Sequence, residues 1–143
     1  MIDVEALKAH IFDIVGLLYE VHNELGPGLN ERLYQEGLMM ELSLQHIPYE
    51  REYTIHPRYK GLDLESVYRI DFLVRGDVVV ELKAVPNLTD EHRAQLFNYM
   101  RLSDACAGIL VNFATQSCQI ERYFHDKERR LILTVYGTPV RRI

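Results

Sequence analysis

Acidic and basic side chains stand close together in two short β-like segments of the sequence. Asp71 lies in the first segment, and Glu81 and Lys83 lie two residues apart in the second. Because successive side chains of a strand point to opposite faces, Glu81 and Lys83 point the same way. Two neighbouring carboxylates repel each other unless a cation lies between them, and their hard oxygens favour Mg²⁺ or Mn²⁺. Lys83 beside them could contact a scissile phosphate or orient an attacking hydroxide.

The position of Asp71 relative to Glu81 depends on the hairpin that joins the two segments. A loop of three residues, 75–77, places Asp71 opposite Glu81, whereas a loop of two residues places it opposite Leu82 on the wrong face. We predict the odd-length loop or a bulge, and hence one shared face for the two acids. The competing interpretation is a solvated hairpin face on which Lys83 and Arg69 form salt bridges with the acids.

Two further segments carry polar side chains that could complete such a site. Gln95 and Tyr99 are four residues apart, so they share one face of a predicted helix. A glutamine can hold a nucleophile or a water, and a tyrosine can contact phosphate or stack on a base. Core packing is the alternative for Tyr99. Glu31 lies in the first turn of another predicted helix, where the helix dipole stabilises a carboxylate, so a capping role is its alternative.

The elements that must position these side chains follow from the spacing of apolar residues. Apolar side chains every three to four residues predict helices, and alternating or continuous apolar runs predict strands. Residues 59–65 are expected to be a polar connection, and the basic C-terminal end is expected to be a frayed tail. The order of elements predicts a single α/β domain, residues 1–143, with a mixed sheet. Predicted helices cover residues 3–25, 30–45 and 89–102, and predicted strands cover residues 49–56, 67–74, 78–85, 108–113, 117–124 and 131–136.

The composition narrows the class of protein. The chain has 143 residues, 48% of them hydrophobic and 26% charged, which is typical of a globular domain and argues against disorder, collagen and a disulfide-rich miniature. Its formal net charge of -5 argues against a protein that coats nucleic acid by charge alone. Two cysteines are too few for a four-cysteine zinc or iron–sulfur site. We expect a cytoplasmic protein, because the start lacks a signal-peptide pattern and no apolar run approaches the ~20 residues that span a bilayer.

Together, these residues resemble the PD-(D/E)xK nuclease superfamily and, within it, the GxxExxY protein family. The similarity extends over roughly residues 10–124. Three patterns carry it: the GxxExxY motif, the D…ExK core, and the QxxxY helix of RecB-like nucleases. The matching positions are, in that order, Gly28, Glu31 and Tyr34; Asp71, Glu81 and Lys83; and Gln95 and Tyr99.

The resemblance implies a restriction-endonuclease-like αβββαβ core, with a mixed central sheet flanked by helices. It also implies that Asp71 and Glu81 ligate Mg²⁺ or Mn²⁺ together with the Leu82 carbonyl. Glu31 would complete the acidic cluster, directly or through water. The metal would ease the formation of hydroxide and neutralise charge on the transition state.

The function that the resemblance implies is metal-dependent hydrolysis of phosphodiester bonds in DNA or RNA. Lys83 would position the hydroxide, and Gln95 and Tyr99 would orient phosphate or nucleic acid. Two alternatives stay open at this point. One is a catalytically silent nuclease-fold module that binds nucleic acid. The other is a protein-interaction module, such as a homodimer formed through the apolar stripe of the first helix. No membrane partner is expected.

Overall fold

The computed structural model describes residues 3–143, so the first two residues of the predicted domain lie outside it. The helices in this part of the chain begin and end within one residue of their predicted bounds, and Thr89 and His92 cap the third reciprocally. None of the helices within residues 3–143 combines the length and the apolar character needed to cross a membrane. They are α1 (Val4–Leu25), α2 (Glu31–Leu44) and α3 (Asp90–Ser103).

Nine strands occur in the described residues, and seven of them form one sheet in the order β1-β4-β5-β6-β7-β8-β9. β2 and β3 form a separate ribbon. β5 and β6 are parallel, whereas the other neighbours in the sheet are antiparallel. The succession α2, β1, β4, β5, α3 and β6 confirms the predicted αβββαβ core and mixed sheet. The strands are β1 (Tyr49–Ile55), β2 (Arg58–Tyr59), β3 (Leu62–Asp63), β4 (Tyr68–Val74), β5 (Val78–Lys83), β6 (Ala107–Asn112), β7 (Gln119–Asp126), β8 (Leu131–Thr134) and β9 (Pro139–Arg142).

Two segments differ from the predictions made from sequence. Residues 59–65 are not a plain polar connection, because β2 and β3 pair around Lys60 and Gly61. Both turn residues have a positive φ, 52° and 82°, as the two-residue turn of a tight hairpin requires. The C-terminal end is not a frayed tail, because β9 pairs with β8 and forms an edge of the sheet. Its proline and arginines suit an edge strand and give no alternation of apolar residues.

The sheet separates two apolar layers. On one face, α1 and α2 pack against the sheet through a cluster that includes Leu18, Leu38 and Phe72. On the other face, α3 packs against it through a second cluster that includes Leu96 and Met100. β5 lies between these layers and is buried along its whole length except for its last residue, which is half-buried. A carboxylate in this strand is therefore surrounded mostly by protein.

Candidate active site

The hairpin of β4 and β5 brings the two predicted acidic residues together. Val74 pairs with Val78, so the loop consists of residues 75–77 and has the predicted odd length. The regular pairing continues for three residue pairs and ends just before Asp71 and Glu81. These two residues are the next opposite pair in this register. The register in which Asp71 faces away from Glu81 is therefore excluded.

Side-chain oxygens accept main-chain N–H bonds at the point where the two strands separate. The Asp71 N–H donates to Glu81 Oε2 at 2.7 Å, and the Leu82 N–H donates to Asp71 Oδ2 at 2.8 Å. In a regular antiparallel ladder only every second N–H of a strand donates to the opposite strand, so just one of these two bonds replaces a ladder bond. The two bonds hold both carboxylates in the gap between the strands. The Leu82 side chain packs in the core on the α1–α2 side, so only its main chain belongs to the site.

Burial makes this pair of carboxylates costly to ionise. Glu81 is 4% exposed. Burial, followed by the charge of Asp71, raises the pKa of Glu81 to about 8. Burial also raises the pKa of Asp71, although the Leu82 N–H and then the Lys83 charge oppose the shift. A cation that arrives between the two carboxylates would favour their ionised forms and reverse both shifts.

Lys83 and two side chains of α3 lie on the same side of the sheet as Glu81. The Lys83 Nζ donates to Gln95 Oε1 at 2.7 Å, which argues against a face held by salt bridges to acids. Tyr99 is buried one turn further along α3. Burial, and then the charges of Glu81 and Asp71, raise the pKa of Tyr99. The structure thus brings five predicted residues to one place: Asp71, Glu81, Lys83, Gln95 and Tyr99.

A polar cavity of about 200 Å³ opens beside Asp71. Glu31, the first residue of α2, lines this cavity, and burial followed by the charge of Asp71 raises the pKa of Glu31. Glu52 of β1 lines it too, at a position that the sequence did not reveal. Glu52 is level with Asp71 in the β1–β4 register, but its φ of 51° interrupts the pairing there. The register of these two strands is the signal that could have identified Glu52.

Two more polar residues that no motif had indicated hold Asp71 in place. The Gln35 Nε2 donates to Asp71 Oδ1 at 3.3 Å. Arg51 donates from Nε and Nη2 to Gln35 Oε1, at 2.9 and 2.7 Å. Because a guanidinium group can only donate, these two bonds fix which way the Gln35 amide points. Arg51 therefore orients Gln35, and Gln35 orients the Asp71 carboxylate.

Tyr34 holds the turn that leads into Glu31. Its hydroxyl donates to the Gly26 carbonyl at 2.6 Å and accepts from the Leu29 N–H at 3.1 Å. Its ring stacks on Phe113, with 4.4 Å between the ring centres. The tyrosine therefore determines where the Glu31 carboxylate enters the cavity.

A second cavity, of about 660 Å³, lies between the start of α1 and the turn that joins β7 to β8. Most of its lining is apolar, and it contains none of the predicted site residues. The larger cavity is therefore separate from the predicted site, whose residues Glu31 and Asp71 line the smaller one.

The oxygen donors of the site suit Mg²⁺ or Mn²⁺ better than a softer metal. Within residues 3–143, no three acidic, histidine or cysteine side chains converge into a complete metal site. Mg²⁺ does not require one, because it keeps several waters and binds through one or two carboxylates. Asp71 and Glu81 supply two carboxylates, each oriented by a main-chain N–H and each with lone pairs to spare. These residues therefore fit such a metal.

Comparison with known proteins bears on the class of this fold. Residues 8–123 match the model of a family described as the PD-(D/E)XK nuclease superfamily. Among the solved structures that match, the crystal structure of SSO0001 has a TM-score of 0.51 and 23% sequence identity. The alignment covers 64% of this chain and 48% of that chain, so the similarity spans about half the length of SSO0001 and concerns the fold alone. None of the curated proteins matches the sequence.

Proposed function

Because the matching family model covers more than half of the sequence, the chain belongs to the PD-(D/E)XK nuclease superfamily, and we propose that it hydrolyses phosphodiester bonds of DNA or RNA with Mg²⁺ or Mn²⁺. The observation that supports this most directly is the pair of N–H to carboxylate bonds between the strands of Asp71 and Glu81. They fix two acids beside Lys83. The proposal includes membership of the GxxExxY family, which the bonds of Tyr34 to the turn before Glu31 support. It also includes a RecB-like QxxxY helix, which the bond of Gln95 to Lys83 supports.

Four residues would hold the metal. Asp71 and Glu81 would bind through their carboxylates, with the Leu82 carbonyl beside them and Glu31 directly or through water. A divalent cation bound there would make hydroxide available at neutral pH and neutralise the charge that develops on the phosphate. Gln35 keeps the Asp71 carboxylate in one orientation for this role.

Lys83 is placed to act on the nucleophile. An ammonium group has three N–H donors, and the bond to Gln95 Oε1 uses one of them. The other two can orient the attacking water and contact a phosphate oxygen. Tyr99 keeps its hydroxyl proton at neutral pH, because its pKa is raised, and can donate to the phosphate. Since α3 carries both Gln95 and Tyr99, one rigid helix aligns the nucleophile with the phosphate.

Cleavage assays test the proposal. The protein is incubated with labelled single- and double-stranded DNA and RNA in Mn²⁺ or Mg²⁺, with EDTA as the negative control. Asp71→Asn and Glu81→Gln should abolish cleavage, whereas Glu20→Gln, on the exposed side of α1, should leave it unchanged. Cleavage that survives both site substitutions would show a contaminant and overturn the assignment. Tight metal binding without turnover of any substrate would instead establish the catalytically silent module.

A further inference from the structure

A two-stranded arm lies beside the proposed site. The arm is residues 56–67, the connection between β1 and β4, and it contains β2 and β3. The pairing of β1 with β4 ends at Ile55 and Tyr68, so the arm begins and ends there. Because β4 runs antiparallel to β5, this is the end of the sheet at which Glu81 and Lys83 lie.

One face of the arm is apolar and exposed to solvent. Tyr59 pairs with Leu62, so their side chains share a face, and they are 63% and 73% exposed. Arg58 and Asp63 pair on the other face and form an ion pair of 2.9 Å. Lys60, in the turn, holds its Nζ 5.6 Å from the centre of the Tyr59 ring. The exposed face therefore combines an aromatic ring with a nearby positive charge.

An aromatic contact connects the base of the arm with the proposed site. The half-exposed Tyr68 ring lies 5.7 Å from the Tyr99 ring, measured between the ring centres. Tyr99 is in turn close enough to Glu81 and Asp71 for their charges to raise its pKa. A nucleic acid whose phosphate lies at the carboxylates can therefore pass over Tyr68 toward the arm.

The arm is less acidic than the chain as a whole. Residues 56–67 contain two arginine or lysine residues and two acidic residues, and Arg69 follows in β4, whereas the whole chain has a net charge of -5. Arg58 already pairs with Asp63, which leaves Lys60 and Arg69 to meet phosphates. An apolar face alone would suit a protein partner. A tyrosine beside a lysine suits nucleic acid better, because bases stack on the ring while phosphates pair with the charge.

We propose that the arm binds unpaired bases of the nucleic acid next to the scissile phosphate. Tyr68 and Tyr59 are the stacking platforms, and Lys60 contacts a phosphate. The identity of the ligand rests on the proposed nuclease function. Stacking on a protein ring requires exposed base faces, which a duplex keeps inside its own helix. The arm therefore selects single-stranded or locally opened substrates.

The binding of a fluorescein-labelled single-stranded oligonucleotide, followed by anisotropy, tests the arm. The measurement uses an Asp71→Asn background to prevent cleavage, and is repeated in EDTA without that substitution to exclude a folding defect. Tyr59→Ala and Tyr68→Ala should each weaken binding about tenfold. Tyr59→Phe should restore binding, because it keeps the ring. Tyr136→Ala removes an even more exposed tyrosine from the turn after β8 and should leave the affinity unchanged.

Hydrolysis of bis(p-nitrophenyl) phosphate in Mn²⁺ separates this inference from the proposed function. This diester is too small to reach from the carboxylates to the arm, so Tyr59→Ala should hydrolyse it at the unmutated rate. If the unmutated chain hydrolyses neither this diester nor nucleic acid, the proposed function fails, and the oligonucleotide affinities still decide the role of the arm. Unchanged affinity in both Tyr59→Ala and Tyr68→Ala would overturn the inference. Loss of self-association with unchanged affinity would overturn it too, because the face would then join two copies of the chain.

Discussion

Replacing Glu81 with glutamine should make the metal-free protein more stable above neutral pH, although it removes a proposed metal ligand. Glu81 lies in a buried strand, and burial and the charge of Asp71 raise its pKa to about 8. Glutamine has nearly the same shape and keeps an oxygen that can accept the Asp71 N–H. Because glutamine carries no charge, the variant avoids the cost of an ionised carboxylate in this position.

The size of the effect follows from the pKa difference. The Glu81 carboxyl titrates near 4.5 in the unfolded chain and near 8 in the folded one. Between these two pH values the unfolded chain ionises while the folded protein keeps the proton. Each pKa unit corresponds to about 1.36 kcal/mol, so the free energy of unfolding falls by about 5 kcal/mol across this range. This loss is absent below pH 4.5, grows as the pH rises, and is complete above pH 8. The Glu81→Gln protein should not lose this stability, so its Tm in alkaline buffer should be higher than that of the unmutated protein by roughly 10–20 °C.

Urea unfolding in EDTA, at several pH values from about 5 to 9, measures the difference. The chain has no tryptophan, so far-UV circular dichroism is the suitable signal. Glu20→Gln, exposed on α1, is the matched control and should follow the unmutated protein at every pH. Mn²⁺ should reduce the difference in stability between the two proteins, because it should bind and stabilise the unmutated protein but not Glu81→Gln. A Glu81→Gln protein that is less stable at high pH, or a difference that does not depend on pH, would refute the reasoning.

Three further sets of substitutions probe separate parts of the site. Gln35→Met should weaken Mn²⁺ binding about tenfold in calorimetry. Arg51→Lys can still donate to the Gln35 oxygen, so it should lose less Mn²⁺ affinity. A Gln35→Met protein that binds Mn²⁺ as tightly as the unmutated one would contradict the positioning role. Lys83→Met should abolish cleavage without lowering the Mn²⁺ affinity, because the substitution removes a positive charge from the site. A weaker Mn²⁺ affinity would be evidence against the role proposed for Lys83. Tyr34→Phe loses two hydrogen bonds and should lower the free energy of unfolding by about 1–3 kcal/mol in urea, whereas the exposed control Tyr136→Phe should not.

Periodicity predicted most of the fold because most elements have a strongly apolar side. Buried residues recur every three to four positions along α1, and β5 and β6 are short, nearly continuous apolar runs. The placement of Asp71 opposite Glu81 followed from the length of one loop, since side chains alternate with a fixed period. The edge strand β9 could not be predicted in this way, because it is exposed on both faces.

The candidate site was predictable where its residues form a motif within one element. Gln95 and Tyr99 share a helix face, and their spacing alone indicates it. Gln35 and Arg51 were not predictable, because their roles depend on how α2 lies against β1 and β4, whereas Glu52 would have required the β1–β4 register. Their neighbours in the sequence carry no information about that contact.

The main-chain amides that point at the site carboxylates connect the site with the pairing of the sheet. The amide protons of Asp71 and Leu82 lie in bonds to carboxylates, at the point where the regular pairing of β4 and β5 ends. An ion bound to these carboxylates would change the charge on the groups that accept the two bonds, so the NMR shifts and hydrogen-exchange rates of both amides should change. By thermodynamic linkage, local opening of this junction and ion binding then change each other's equilibrium by the same factor. Binding of an ion at the carboxylates would therefore be detectable in the sheet itself.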